Sequence, residues 1–246
     1  MEPNSGLADL ISDWLRDFVD QAGAQGYVVG LSGGIDSATT AALCQRAVGE
    51  QVLAVLLPCH SQPQDAEMAR LVAETFGLET VTVDLSATYD SLLAALRGEV
   101  SAMAQANAKP RLRMAALYAL AQTRGYLVAG TGNKSESMVG YFTKYGDGGV
   151  DVEPLGDLYK WQVRQLAREL GVPQPTISRP PSAGLWAGQT DEGEMGLTYD
   201  ELDAALAAIA SGQTESVDSG LLERVQRMVN SSAHKRAMPP VCIVQS

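Results

Sequence analysis

The sequence has little cysteine, little positive charge and no long apolar run. Its 246 residues include three cysteines, Cys44, Cys59 and Cys242, an odd number without metal-ligand spacing. This favours a reducing cytoplasm over a disulfide framework. No run of about 18 apolar residues occurs, and the first residues lack the basic stretch of a secretory signal, so we expect no membrane span and no export. The net charge of −11 argues against a nucleic-acid partner, because phosphate backbones attract positively charged proteins.

Lysine is scarce, and it is found only in the second part of the chain. The five lysines are Lys109, Lys134, Lys144, Lys160 and Lys235. They lie mostly in segments rich in Gly, Thr, Ser and Asp. Either these cations meet a polyanion inside an acidic molecule, or a preference for arginine leaves few lysines that cluster by chance. The distribution alone favours neither interpretation.

Short apolar runs typical of buried strands alternate with segments of helical periodicity. Continuous apolar strands separated by helices predict an α/β fold with an open, Rossmann-like parallel sheet and helices on both faces. No repeat or linker interrupts the pattern, so we expect one domain over residues 1–246. The expected strands are 27–31, 52–57, 80–85 and 126–129. The expected helices are 7–22, 37–48, 64–76, 89–96, 111–123, 158–170, 199–210 and 219–229, with loops over 140–156, 179–196 and from 230 onward.

A glycine-rich motif follows the first expected strand. Its residues are Gly30, Leu31, Ser32, Gly33, Gly34, Ile35, Asp36 and Ser37. The amides of such a strand-to-helix turn can cradle an anion, and Asp36 suits this site if it binds Mg²⁺ that bridges to phosphates. The motif matches neither GxxxxGK[ST] nor GxGxxG. A plain turn with Asp36 as helix cap is the alternative, but the motif resembles the SGGxDS loop of the ATP-pyrophosphatase superfamily, which favours phosphate binding.

Basic residues gather at the expected start of the fifth helix. Lys109, Arg111 and Arg113 lie within five residues of each other, where the helix dipole disfavours cations. An anionic partner would offset that cost. Taken alone, the cluster is more typical of a solvated basic turn.

Three later segments also offer polar groups to a ligand. Thr131 can donate to a phosphate, and Glu136 can be a second Mg²⁺ ligand or part of a capping box. Segment 140–151 is too polar and glycine-rich for a core and predicts either a ligand-wrapping loop or a flexible surface loop. In the first case Lys144 could meet phosphate or carboxylate, and Asp151 could accept from a ribose or amide. The late HKR triplet alone is typical of a solvated tail.

Six motifs together resemble one family. SGGIDS, KPRLRM, GTGNKSE, GYFTKYGDGG, PPSAGLWAGQTDEGEMG and HKR follow each other in this order, as in the NAD synthetases of the ammonia-dependent short form, which lack a glutaminase domain. The resemblance implies that ATP adenylates the nicotinate carboxylate of deamido-NAD with release of pyrophosphate, and that ammonia then displaces AMP to give NAD. It also implies a homodimer that uses Mg²⁺, and it leaves open a separate glutaminase partner.

The resemblance implies roles for individual residues. Asp36 and Lys160 would be catalytic, and Asp36 and Glu136 would bind Mg²⁺. ATP would contact residues 30–37 together with Thr131, Lys160 and Ser182. Deamido-NAD would contact Arg111, Lys144, Asp151, His234 and Lys235. The chain departs from the common pattern at Pro110, where Ala is frequent, and at Ser182, where Thr is also found.

No Ser-His-Asp or Cys-His arrangement indicates a covalent enzyme intermediate, so we expect catalysis by positioning and charge neutralisation. No base for ammonium is identifiable, and Asp147 and Asp151 are candidates only by their place in the sequence. Two alternatives are a non-catalytic nucleotide-binding protein and another adenylating enzyme, such as a nucleic-acid thiolase. Intact Asp36, Glu136 and Lys160 disfavour the first. The net charge and the lack of a catalytic cysteine pair disfavour the second.

Overall fold

The protein is described by a computed structural model over residues 6–186 and 188–244. Within these ranges the strands are β1 (Tyr27–Gly30), β2 (Val52–Leu56), β3 (Glu79–Thr82) and β4 (Leu127–Ala129). The helices are α1 (Leu7–Ala22), α2 (Ile35–Val48), α3 (Pro63–Phe76), α4 (Ser86–Ala95), α5 (Ala102–Arg124), α6 (Lys134–Val139), α7 (Lys160–Glu169), α8 (Gln174–Ser178), α9 (Asp191–Met195), α10 (Tyr199–Ser211) and α11 (Ser219–Arg236). None of the described helices combines the length and the apolar character needed to cross a bilayer.

The four strands form one parallel sheet in the order β3-β2-β1-β4. Tyr27 of β1 pairs with Val52 of β2 and with Leu127 of β4. The central strands β1 and β2 are buried almost throughout, as their continuous apolar runs predict, whereas the edge strand β3 is mostly exposed. The expected parallel sheet is confirmed.

Helices cover both faces of the sheet. Neighbouring residues of β1 point to opposite faces, so Val29 packs in a core with α1, α2 and α7, and Val28 packs in a second core with α4 and α5. Leu117 and Tyr118 of α5 pack against this second core, so much of the apolar surface of this helix faces the sheet. A third apolar cluster joins α6, α10 and α11. This cluster fixes the helices that carry much of the candidate site.

The largest differences from the expected boundaries are in α5 and α11. Helix α5 begins at Ala102, so Lys109 and Arg111 lie in its middle and not at its entrance. The first turns are rich in alanine, which favours helix by propensity and leaves no apolar period to detect. Helix α11 continues to Arg236, so residues 230–236 are helical and not a loose tail. The short helices α6, α8 and α9 are too brief to show a period and were not expected.

Candidate active site

The motif at residues 30–37 forms a tight loop between β1 and α2. Ser32 N donates to Ser37 Oγ at 3.2 Å, and Ser37 Oγ donates to Gly34 O at 3.0 Å. Gly33 has φ +81°, and a Cβ there would lie 2.7 Å from the carbonyl oxygen of Asp65, so only glycine fits. Gly34 is the N-cap of α2, and the alternative of Asp36 as the cap is therefore wrong. The main-chain amides at the start of α2, a 14-residue helix, can therefore bind an anion.

Asp36, Glu136 and Lys160 come together from three helices. Lys160 Nζ lies 2.6 Å from Asp36 Oδ2 and 3.0 Å from Glu136 Oε1. The Lys160 side chain is 1% exposed, whereas the Asp36 and Glu136 side chains are 19% and 16% exposed. A buried ammonium without partners would be strongly disfavoured. The two carboxylates compensate it and, when both are ionised, leave one net negative charge at the centre.

Burial and the neighbouring charges shift the pKa values of Glu136 and Lys160. Burial raises the pKa of Glu136 to about 7, where Lys160 opposes the shift and Asp36 adds to it. Burial works to lower the pKa of Lys160, but the charges of Asp36 and Glu136 outweigh it and hold that pKa well above the ordinary value. Lys160 is therefore a permanent cation at neutral pH, and Glu136 exchanges a proton near neutrality.

Asn133 links the Asp36 carboxylate to the start of α6, the helix that carries Glu136. Its Oδ1 accepts from Glu136 N at 3.1 Å and so caps α6, while its Nδ2 donates to Asp36 Oδ1 at 2.9 Å. The Glu136 side chain faces Lys160 and does not return to the cap, so the capping-box alternative for Glu136 is wrong. Asn133 was not among the predicted site residues, although the GTGNKSE motif contains it.

Tyr199 extends the centre from the start of α10. Thr198 and Glu201 form a capping box that fixes this first turn. The Tyr199 hydroxyl lies 2.7 Å from Glu136 Oε1, and Lys160 Nζ lies 4.6 Å from the Tyr199 ring centroid. The phenol thus contacts both charges of the Glu136–Lys160 pair. Sequence reasoning missed Tyr199, and the T-x-x-E pattern was the one local signal for its position.

Asp203, one turn further along α10, supports the start of α7. Its Oδ2 accepts from Trp161 N at 3.1 Å, and its Oδ1 accepts from the hydroxyl of Ser135. Ser135 Oγ in turn accepts from Lys160 N at 2.9 Å. Asp203 therefore holds the backbone of Lys160 and was also missed by sequence reasoning.

A cavity of about 670 Å³ opens beside the carboxylates, a size typical of small-molecule sites. Arg113, which was not a predicted site residue, lies in its wall and donates through Nε to Leu57 O at 3.0 Å. Gly33 and Lys160 are not in the wall, and Lys160 reaches the cavity through its carboxylate partners. The predicted residues in the wall are Gly30, Leu31, Ser32, Gly34, Ile35, Asp36, Ser37, Thr131, Glu136, Ser182 and Lys235.

Cations of α11 and of the loop that follows α6 donate hydrogen bonds to the carbonyl ends of helices. Lys235 Nζ donates to Gly140 O at 2.8 Å, and Lys144 Nζ donates to His234 O at 2.6 Å. Arg236 donates to the carbonyls of residues 137 and 138 at the end of α6. Cations are favoured at these ends because the helix dipole is negative there. Lys144 and Lys235 thus have structural contacts in addition to their predicted role.

The structure does not bring all predicted deamido-NAD residues to the cavity. Asp151 accepts from Val128 N at 2.8 Å and from Tyr118 OH at 3.0 Å, at the edge of β4. Four of the five predicted residues lie outside the cavity wall: Arg111, Lys144, Asp151 and His234. Of the two candidate bases for ammonium, Asp147 lies in the wall and Asp151 does not.

Asp36 and Glu136 fit a magnesium ion that arrives with phosphates. Magnesium prefers carboxylate oxygens and retains waters or substrate phosphates in its shell. Both carboxylates border the cavity beside the loop, and Glu136 Oε2 accepts no hydrogen bond from any residue in the described ranges. No group of three or more His, Cys, Asp or Glu residues in the described part of the chain could hold a metal ion alone. The donor set fits a nucleotide-bound ion and not a closed protein cage.

The open parallel sheet with helices on both faces is a Rossmann-like fold, and the loop, the paired carboxylates and the cavity lie at the carboxyl end of its strands, where such folds bind ligands. The NAD synthase family model matches residues 7–239, and the chain belongs to this family.

Relatives and solved structures agree with this assignment. The chain is 50% identical over 242 residues to the NH(3)-dependent NAD(+) synthetase of Archaeoglobus fulgidus, covering 97% of both. It is 47% identical over 233 residues to that of Carboxydothermus hydrogenoformans, covering 93% of both. Its fold is similar to a structure of NMN synthetase from Francisella tularensis, with a TM-score of 0.91, 39% identity and coverage of 98% and 99%. The NH3-dependent NAD synthetase of Campylobacter jejuni gives a TM-score of 0.85 at 29% identity, with coverage of 99% and 100%.

Proposed function

We propose that this chain is a ligase that converts deamido-NAD, ATP and ammonia into NAD, AMP and pyrophosphate. The carboxylate of deamido-NAD is first adenylated, because a free carboxylate is a poor electrophile, and ammonia then displaces AMP. The names of the relatives support this reaction. The structural observation that carries it is the Asp36–Lys160–Glu136 centre at the start of α2, beside a cavity of nucleotide size.

The residues of the loop bind and orient the triphosphate. The amides at the start of α2 and the hydroxyls of Ser32 and Ser37 hold phosphate oxygens. Thr131 and Ser182, which border the same cavity, also contact ATP. Lys160 keeps Asp36 and Glu136 oriented and contributes positive charge near the departing pyrophosphate. A Mg²⁺ ion bound by Asp36 and Glu136 would neutralise the phosphate charge when present.

The acid substrate is bound by residues further along the chain. We assign Arg111, Lys144, Asp151, His234 and Lys235 to deamido-NAD, and Asp147 in the cavity wall to accept a proton from ammonium. Four of the five residues assigned to deamido-NAD lie outside the cavity wall. This arrangement suits a site that the second copy of a homodimer completes. We place the enzyme in the cytoplasm, acting as one unit over residues 1–246 on free ammonia.

One assay tests this function. The protein is mixed with ATP, Mg²⁺, deamido-NAD and ammonium, and NAD, AMP and pyrophosphate are measured. We expect the three products in equal amounts, and little NAD when glutamine replaces ammonium. Nicotinate mononucleotide is tested in parallel, because one similar structure is that of an NMN synthetase. Failure to form NAD, or a strong preference for the mononucleotide, would contradict the proposed substrate.

A further inference from the structure

A short series of hydrogen bonds leads from the carboxylate centre to a loop on the cavity wall. Tyr199 OH lies 2.7 Å from Glu136 Oε1 and 3.0 Å from Asp191 Oδ2. Asp191 Oδ1 accepts from the main-chain N of Ala183 at 2.9 Å. Tyr199 and Asp191 are both buried. Two buried groups therefore connect Glu136 with the residue that follows Ser182.

Tyr199 can donate to only one of these carboxylates at a time. A phenol carries one hydrogen, yet both carboxylate oxygens lie within hydrogen-bond distance. Glu136 also has Lys160 as a partner. If Glu136 turns toward a nucleotide, Tyr199 can donate to Asp191, and no buried hydroxyl is left unpaired. The second acceptor thus lets Glu136 move at little cost.

Asp191 also holds the ends of segment 181–190 together. Its main-chain N donates to Pro181 O at 3.1 Å, while its side chain accepts from Ala183 N. Ser182 lies between these two anchors and borders the cavity. The conformation around Ser182 therefore depends on the position of the Asp191 carboxylate. Two tyrosine hydroxyls fix that position: Tyr199 OH at 3.0 Å from Oδ2 and Tyr141 OH at 3.1 Å from Oδ1.

We propose that Tyr199 and Asp191 are positioning residues that couple the orientation of Glu136 to the conformation of residues 181–183. The proposal rests on the proposed function, since it assumes that ATP binds between Glu136 and Ser182. Tyr199 does not border the cavity. Asp191 does, but its two oxygens already accept hydrogen bonds from Ala183 N, Tyr141 OH and Tyr199 OH.

The first test compares two fully buried tyrosines. Tyr199→Phe removes the hydroxyl beside Glu136, whereas the control Tyr27→Phe removes a hydroxyl that donates to Leu15 O at 2.7 Å in α1. We expect Tyr199→Phe to lower kcat about ten-fold or more and to raise the Mg²⁺ concentration for half-maximal rate, as for other residues that orient metal ligands. Tyr27→Phe should lower the Tm and leave kcat unchanged.

The second test separates two hydrogen bonds that Asp191 accepts, one from Ala183 N and one from Tyr199 OH. Asp191→Asn can still accept from Ala183 N, but its amide nitrogen cannot accept from Tyr199 OH, so it should keep the KM for ATP near the wild-type value and lower kcat, as Tyr199→Phe does. Asp191→Ala makes neither contact and should lower kcat and raise the KM for ATP. A readout independent of activity is proteolysis within segment 181–190. ATP with Mg²⁺ should protect this segment in the wild type and in Asp191→Asn, and not in Asp191→Ala.

The outcomes are distinguishable. If Tyr199→Phe behaves like Tyr27→Phe, or if Asp191→Ala changes the Tm without changing the KM for ATP or the protection by ATP, the positioning role is refuted. If the wild type forms no NAD but ATP protects its segment 181–190 in a manner that Asp191→Ala abolishes, the proposed reaction fails while the coupling stands.

Discussion

Glu136 should make the stability of the ligand-free protein depend on pH. Burial raises its pKa to about 7 in the folded chain, from an ordinary value of 4.5. Because the folded pKa is the higher one, the folded state binds the proton more tightly than the unfolded state. The stabilising contribution of Glu136 is therefore complete below about pH 4.5 and is lost as the pH rises through about 7.

The size of the effect follows from the same two pKa values. At about 1.4 kcal/mol for each pKa unit, the difference corresponds to about 3 kcal/mol in the free energy of unfolding. Glu136→Gln removes the ionisation and keeps the shape of a protonated glutamic acid. We expect this variant to match the wild type near pH 4.5 and to be more stable by about 3 kcal/mol at pH 8.

The assay is urea unfolding between pH 4.5 and 8, and the difference between the two proteins is plotted against pH. Titrating groups that are remote from Glu136 are shared by the two proteins and cancel in this difference. Glu223→Gln is the control, because Glu223 is an exposed glutamate of α11, with its side chain 75% exposed. Parallel stability curves for the wild type and Glu136→Gln would refute the assignment of a raised pKa to this carboxyl, and with it the electrostatic description of the centre.

Three further substitutions test other parts of the site. Lys160→Met should lower kcat by about 100-fold or more, measured as pyrophosphate release, since it removes the cation that orients both carboxylates; a near-normal rate would contradict its role. Asp203→Ala should lower the free energy of unfolding, measured in urea, by about 1–3 kcal/mol, because buried donors at the start of α7 lose their acceptor. Asp203→Asn should lower this free energy by less. Gly33→Ala should raise the KM for ATP far more than Gly23→Ala, which has similar positive φ but open space around it; equal effects would argue against the contact with Asp65.

The sheet and the glycine-rich loop over residues 30–37 follow directly from the sequence. β1 and β2 are short apolar runs with no competing pattern, and α1 has the predicted bounds, Leu7–Ala22. The residues 30–37 lie at a strand exit, and parallel strand ends share one edge of a sheet. Local patterns therefore determine both the position of Asp36 and its proximity to Glu136.

The supporting residues of the site could not be found in this way. Tyr199 and Asp203 belong to a helix whose sequence shows mainly the apolar residues Leu202 and Leu206, which pack in the third cluster. That the polar residues of α10 meet α6 and α7 depends on tertiary packing. Likewise, the contacts of Lys144 with helix-end carbonyls could not be foreseen, because the end of α11 lies at Arg236 and not near residue 229.

The cations at the end of α11 bear on how the protein can be shortened or tagged. Met238 and Val241 in the segment beyond Ala237 are 86% and 83% exposed, so an affinity tag placed there should not disturb the fold. Ending the chain before Lys235 would remove the partners of Gly140 O and of the carbonyls that close α6. Since α6 carries Glu136, trimming the last helical turn should damage a site far from it in sequence.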